Sequence, residues 1–429
     1  MAKLWASETA QALAVEALRI GGAPAALLTS DVERLYRDTP LMIIGEGTNE
    51  IQRTLIARQL VDRYGERLGA LTSREHEPTE RRQMVLAVRQ FAEKSLAPVA
   101  AEHDRAARYP SEIMPQLADL GLLGTLVPTE YGGLGLDVLT HTILLEELGR
   151  AWTTLATTVS AHAAVASVLA RFATGTERSR RLPAMTRGEC LASVVLETEI
   201  QARREVDAYV LTGVTPPVAH ASRAGLVLVE ARGDEGPLVA VVTRDAPGLA
   251  IGAPEPTLGE RGLEPAGLRF ADVRLAASAA LPQARSAARA LVWLGEAAIA
   301  VGVAQAAFEA ALRYSQQRAT FGKPIHEHQA IQLKLADMAT AVTAGRLLTY
   351  HAAEQLATDD DLATGLARVY AGDMVYDVTL EAMRIHGGYG YTTEFPVERY
   401  YRDAARLVAT PDATARAALA ARLVAAGAE

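Results

Sequence analysis

The stretch Met42–Arg58 reads Met-Ile-Ile-Gly-Glu-Gly-Thr-Asn-Glu-Ile-Gln-Arg-Thr-Leu-Ile-Ala-Arg and sets one carboxylate, Glu46, between two glycines ahead of a helix start. Glycines on both sides mean a tight turn, and Thr48-Asn49-Glu50 supplies the polar residues that open helices. A lone glutamate before a helix is ordinarily a solvated charge, so its meaning rests on its surroundings. Around it the chain repeats itself. Ala2-Lys3-Leu4-Trp5-Ala6 falls on Ala367-Arg368-Val369-Tyr370-Ala371, and Glu16-Ala17-Leu18-Arg19-Ile20 falls on Glu381-Ala382-Met383-Arg384-Ile385. Val32-Glu33-Arg34-Leu35-Tyr36-Arg37-Asp38 falls on Val397-Glu398-Arg399-Tyr400-Tyr401-Arg402-Asp403, and all three pairings share one offset of 365. In that register Glu46 meets Pro411, while a slip of one residue sets Asp412-Ala413-Thr414 against Glu46-Gly47-Thr48. Asp412 is shorter by a methylene, and neither Gly-Thr-Asn nor Ile-Gln-Arg follows it, so the carboxyl-terminal copy reads as degenerate. Reciprocally, that copy keeps His386-Gly387-Gly388-Tyr389-Gly390-Tyr391 where the first has Gly21-Gly22-Ala23-Pro24-Ala25-Ala26.

Outward from this stretch the chain predicts an α+β, mostly α protein. Leu4, Val15 and Leu18 on one face predict a helix over 2–20 ended by Gly21-Gly22, and Thr48 starts a second running to about Tyr64. Residues 1–66 thus read as an appended helical hairpin, and the polar, aperiodic 67–79 as a linker. Helical patterning dominates 80–187, with a glycine-rich loop over 121–135 that lacks the Lys-Ser or Lys-Thr of a phosphate cradle. Short β-branched runs mark 188–277 as a small middle β domain, and Ala- and Leu-rich helix returns over 278–429 as a C-terminal helical bundle. A length of 429 residues predicts several domains, and a formal charge of -8 argues against nucleic acid. The single Cys190 excludes an intrachain disulfide framework. With no secretory signal and no run read as long and apolar enough to span a bilayer, the expected place is the cytoplasm, away from membranes. His103, His162, His326 and His328 form no metal-ligand pattern.

These residues together resemble the acyl-CoA dehydrogenase family. Ile44-Gly45-Glu46-Gly47-Thr48-Asn49-Glu50-Ile51-Gln52-Arg53 resembles the family's base-bearing signature, which normally lies close to the carboxyl terminus. The loop 121–135, Glu146-Glu147-Leu148-Gly149-Arg150, Gly175-Thr176-Glu177, Leu182-Pro183, Leu258-Gly259-Glu260-Arg261-Gly262 and Phe270-Ala271-Asp272-Val273-Arg274 continue the likeness in order. It covers roughly 80–406 once and 2–60 a second time. The resemblance implies a flavoprotein oxidoreductase that desaturates an acyl thioester with FAD. The α hydrogen leaves as a proton to a carboxylate and the β hydrogen as a hydride to the flavin. Glu46 would be the base and Thr48 a flavin contact beside it. Arg318-Ala319-Thr320-Phe321-Gly322-Lys323-Pro324-Ile325 and Gln329 resemble the segment that holds the diphosphate and adenosine of a neighbouring subunit's FAD. Gly387 and Gly388 belong to the same contact, although Arg384 stands where the family usually has Gln.

The β domain departs from the pattern. A hydroxyl-rich loop of the family is shortened by about ten residues near 196–201, as the spacing to Tyr209 indicates. Pro217-Val218-Ala219 stands where the family has Trp-Ile-Thr or Trp-Ile-Ser. The same subunit is therefore expected to hold a flavin ring poorly, while its segments for a neighbour's FAD are kept. The expectation is one half of a hetero-oligomer sharing a flavin site, with Glu46 given to a partner that lacks its own base. A homo-oligomer with unfamiliar flavin contacts stays open, as does a flavin-free binding, scaffolding or proton-transfer protein. The thioester carrier is coenzyme A or an acyl carrier protein.

Overall fold

Three helices, α1 (Ala2–Ala25), α2 (Asp31–Ile44) and α3 (Asn49–Tyr64), open the computed structural model, which describes residues 1–64, 72, 74–356 and 361–426. The expected hairpin is thus a triplet. Gly22 leaves helical geometry at φ 60°, ψ −153° inside α1, where the glycine pair predicted an end. The missed α2 carries its start signal in Ser30-Asp31-Val32-Glu33: Ser30 accepts a hydrogen bond from the Val32 amide at 3.2 Å, and acidic residues fill the first turn. Pro40 within the helix obscured it. Of the linker expected over 67–79, residues 67–71 and 73 lie outside the described residues, and α4 (Thr79–Phe91) begins at its far end.

The helices that follow are α5 (Ala97–Ala106), α6 (Met114–Asp119), α7 (Val138–Ala151), α8 (Thr153–Phe172) and α9 (Gly175–Thr186). A β region holds β1 (Ala192–Val195), β2 (Gln201–Arg204), β3 (Ala208–Val214), β4 (Leu226–Gly233), β5 (Gly236–Thr243), β6 (Leu249–Ile251) and β7 (Leu268–Ala276). Helix then returns as α10 (Arg285–Gln317), α11 (Gln329–Gln355), α12 (Leu362–His386), α13 (Val397–Ala409) and α14 (Ala413–Ala426), with a ribbon of β8 (Ala319–Thr320) and β9 (Lys323–Pro324) after α10. The fold is mostly helical with a small sheet region, as the sequence predicts.

The chain divides into two compact units. One comprises Met1–Glu75, Ala307–Ala344 and Asp377–Glu398, and the other His76–Ala306, Gly345–Tyr376 and Arg399–Glu429. In the first, α3 is tied to α1 and α11 through Arg53, which pairs with Glu8 at 2.5 Å and Asp337 at 2.6 Å. Burial pushes the Asp337 carboxyl up, against the opposing pull of Arg53.

The second unit is built on its sheet, in the order β1-β4-β2-β3-β7-β6 with β5 on the other edge of β4. β4 runs parallel to β1 (Ala192 opposite Leu226) and antiparallel to β5 (Leu228 opposite Val241). Side chains alternate across a strand, so β4 serves two cores. Val227, Val229 and Ala231 pack with Leu211, Val242 and Val273, whereas Leu226 and Leu228 join Val165 and Leu169 of α8 and Leu182 and Met185 of α9. α8 is buried from Thr153 through Ala170, the mark of a helix that is apolar all round. This corrects one expectation: Thr153–Phe172 and Pro282–Gln317 do have the length and apolarity of a membrane span, but both are core helices, buried over 94% and 89% of their most apolar windows. At the crossing of α7 and α10 a Cβ on Gly302 would run into the Glu146 carbonyl, so only glycine permits that approach.

α13 is clamped by charge. Arg402 pairs with Asp104 at 2.6 Å, and Arg406 with Glu260 at 2.5 Å and Glu296 at 3.0 Å. The Asp403 carboxylate accepts the Glu260 amide at 2.6 Å and the Thr153 hydroxyl at 3.3 Å. Burial, more than any neighbour, pushes its carboxyl up to about 7.

Candidate functional site

The loop between α2 and α3 is wired from beneath. Gly45 closes α2 through its amide to the Leu41 carbonyl at 2.7 Å, after which Glu46 and Gly47 take left-handed backbone at φ 57° and 82°. A glutamate there costs about 1–3 kcal/mol relative to relaxed backbone, so something must hold it. Lys3 supplies part of the hold: its ammonium donates to the Gly47 carbonyl at 3.0 Å and to Asn49 Oδ1 at 2.7 Å. Asn49, only 1% exposed, also donates to Ser7 Oγ at 3.0 Å. From the far side Gln52 Nε2 donates to the Glu46 carbonyl at 3.0 Å. Asn49 and Gln52 thus brace the loop, and Arg53 ties the helix behind it, while the Glu46 side chain stays exposed. Thr48 starts α3, its hydroxyl accepting from the Ile51 amide at 3.5 Å and its carbonyl from the Gln52 amide at 2.9 Å. That hydroxyl also bonds Glu50 and, after the bond to Glu50's own amide, helps hold its carboxyl below the usual range. Because Thr48 takes the cap, Glu46 is free of it.

The sequence reading missed Lys3. Its signal was faint, one cation in the first turn of α1, 44 residues from the carbonyl it holds.

In the same unit, Arg318, Phe321, Gly387 and Gly388 line one groove of about 590 Å³ with Tyr314 and His386. The sharp turn that joins β8 to β9 holds Phe321 at φ 52° and Gly322 at φ 79°, which leaves the Phe321 ring 97% exposed. The Arg318 guanidinium makes no ion pair among the described residues. Two of the lining rings stack, Tyr314 on His386 at 4.2 Å, and Phe395, which does not line the groove, meets both edge-on. His386 Nδ1 is bonded to the Ala382 carbonyl at 2.8 Å, and burial pushes the imidazole pKa down against that bond. A Cβ at Gly387 or Gly388 would meet nothing within 4 Å, so the backbone there faces open space. Gln329 does not line the groove; it stands exposed as the first residue of α11, next to His328, which does. Glu46 and Thr48 belong to the separate loop.

In the other unit, Asp412 lines a cavity of about 640 Å³ with Glu197, Arg289, Trp293, Asp361 and Arg422. Asp412 is not free there: its carboxylate accepts the Ala415 amide at 2.9 Å and caps α14. The charges around it answer one another, Arg422 pairing with Asp361 at 2.5 Å and Arg289 lying 4.4 Å over the Trp293 ring.

These contacts test the fit of FAD. The free guanidinium, exposed ring and open glycines of the groove suit the diphosphate and adenosine of a nucleotide. The β region does not suit an isoalloxazine. The Val218 amide is engaged by the Ala266 carbonyl at 3.0 Å, Pro217 has no amide hydrogen, and the Thr198 hydroxyl donates to the Glu230 carbonyl at 2.5 Å. No hydroxyl or aromatic wall remains at 217–219 for a ring to meet. Among the described residues no group of histidine, cysteine and carboxylate side chains could hold a metal. His162 and His220 are wholly buried, pushed down to about 4 by desolvation, and both clamp Ala192 at the start of β1.

Comparison with known proteins places these features in company. The acyl-CoA dehydrogenase C-terminal domain family matches residues 1–61 and 287–411, and the acyl-CoA dehydrogenase N-terminal domain family matches 78–189. The chain is 34% identical to acryloyl-CoA reductase (NADH) of Anaerotignum propionicum, across 74% of this chain and 86% of that protein. It is 32% identical to the mitochondrial short-chain specific acyl-CoA dehydrogenase of Bos taurus, across 74% and 82%. Its fold is similar to butyryl-CoA dehydrogenase from Megasphaera elsdenii, with a TM-score of 0.75 and 28% identity over 81% of this chain and 99% of that one.

Proposed function

The chain belongs to the acyl-CoA dehydrogenase family, and from that premise we propose that it is the base-giving, nucleotide-clasping subunit of an oxidoreductase acting on acyl thioesters. Glu46 is the base that takes the α proton. Its carboxylate is exposed, uncapped and held on a braced left-handed turn, and this observation carries the reading. The thioester carbonyl acidifies the α position, and covering the loop with substrate and a partner removes water from the carboxylate, raising its basicity. FAD, when bound, supplies the acceptor for the β hydrogen. Arg318 would pair with its diphosphate, and Phe321, Gly387 and Gly388 would flank its adenosine end, with Gln329 beside them.

The flavin ring would belong to another subunit, since the β region of this chain leaves no donor where a ring would lie. The Ala2–Tyr64 triplet is, in this reading, a second copy of the α12–α13–α14 segment that keeps the working carboxylate, while Asp412 has become a cap. Helix lengths support the duplication: 24, 14 and 16 residues in α1 to α3 against 25, 13 and 14 in α12 to α14. The engaged Val218 amide and Thr198 hydroxyl also favour a second reading, a protein that moves the α proton without flavin. One experiment separates them. The full chain is purified alone and together with a co-expressed dehydrogenase-like chain, and each sample is examined for flavin absorption and for thioester α-deuterium exchange. Flavin bands only in the complex support the shared site. Exchange without flavin in either sample supports the second reading, and flavin bands in the lone chain overturn the shared site.

A further inference from the structure

α2 buries none of its residues. Leu35, Leu41, Met42 and Ile44 are 50%, 65%, 55% and 63% exposed, an unpartnered apolar surface on a helix that carries the loop of Glu46. Its back is fixed to α1 by the Thr39 hydroxyl bond to Gln11 at 3.0 Å. The same chain shows how such a helix seats. α13, which repeats Val32–Asp38 as Val397–Asp403, buries Val397, Asp403, Ala404 and Leu407. Its Arg402 meets Asp104, and its Asp403 takes the amide of left-handed Glu260 and the Thr153 hydroxyl. In α2 the corresponding Arg37 pairs with Glu33 four residues back, and Asp38 is exposed.

We propose that α2 docks on a second acyl-CoA dehydrogenase-fold chain whose seat for an α13-like helix is vacant. This rests on the base-giving reading and specifies how the base arrives. The seat must offer a carboxylate in the place of Asp104 for Arg37, and a free amide in a left-handed turn for Asp38. It needs no counterpart of the Glu260 and Glu296 carboxylates, because Leu41 stands where Arg406 stands in α13 and would meet an apolar wall instead. A second copy of this chain is the wrong partner: its seat already holds its own α13. Glu46 follows Asp38 by eight residues and Asp412 follows Asp403 by nine, so seating α2 carries Glu46 to the partner's counterpart of the cavity that Asp412 lines here.

The test uses the full chain co-expressed with a dehydrogenase-like chain of the same genome whose sequence stops short of a Glu-Gly-Thr motif. Complex formation is read by size exclusion and by titration calorimetry. Arg37→Asp and Leu41→Glu each weaken the complex by about tenfold or more, the loss typical of breaking a close charge pair or an apolar anchor at an interface. Reversing the partner carboxylate that replaces Asp104 to arginine restores binding to Arg37→Asp alone. Both variants keep the circular dichroism of the parent, because the altered side chains are exposed. Unchanged affinity in both variants overturns the proposal. So does a homodimer of this chain that Arg37→Asp dissociates and Asp104→Arg restores. If affinity is unchanged but Glu46→Gln abolishes activity, the docking falls and the base assignment stands. If Arg37→Asp dissociates a complex in which Glu46→Gln is fully active, the docking stands and the base assignment falls.

Discussion

At the scale of single residues, the difference between Glu46 and Asp412 lies in who caps the following helix. Thr48 does so for α3, and Asp412 does so for α14. Glu46→Gln should lower thioester α-deuterium exchange by about 10²–10⁴-fold, the range of a general base, with the fold unchanged by circular dichroism. Lys3→Met should lower the same rate by a smaller factor and leave thioester affinity intact, since it frees the loop without touching ligand. Rescue by Lys3→Arg would show that the charge holds the loop. Arg318→Ala should let FAD dissociate from the complex during gel filtration while the subunits stay together. The tight turn at Glu46 and the helix start after it were legible in the sequence from Gly45, Gly47 and the polar Thr48-Asn49-Glu50, whereas a role for the carboxylate came only from the family resemblance. Lys3 was not, since its partner carbonyls on Gly47 and Ile43 are backbone atoms brought close only by folding. Tyr314 and His386, the stacked rings that line the groove, were illegible for the same reason.

At the scale of elements, the helical and β regions followed from periodicity. α2 escaped although Val32, Leu35, Tyr36 and Ile43 recur at helical spacing, because Pro40 interrupts the run; its Ser30-x-x-Glu33 start was the remaining signal. α13 carries a pH dependence of its own. The Asp403 carboxyl is raised to about 7 in the folded chain, against about 4 when unfolded. The folded state therefore holds the proton more tightly, and this group's contribution to stability falls as pH rises from about 4 through 7. Asp403→Asn still accepts the Glu260 amide and should flatten that slope: the gain in thermal midpoint of the parent at pH 5 over pH 7.5 shrinks in the variant. An unchanged difference would assign the slope to other groups. Gly302→Ala should destabilise by about 1–3 kcal/mol in denaturant unfolding, because α7 and α10 must separate to admit the methyl.

At the scale of the whole molecule, the proposed function divides the chain's labour: the groove of Arg318 and Phe321 would serve a neighbour's nucleotide, while the β region, its Val218 amide engaged by Ala266, would not hold a ring. Asp412 shows what that means for its history. Lengthening it to glutamate would not by itself make a catalyst, for the longer arm caps poorly and loosening α14 costs about 0.5–2 kcal/mol before any proton moves. Each such repurposed side chain is a step that is easier to take than to retrace. Under the proposed sharing of a site, dependence on a companion chain would then be a one-way street.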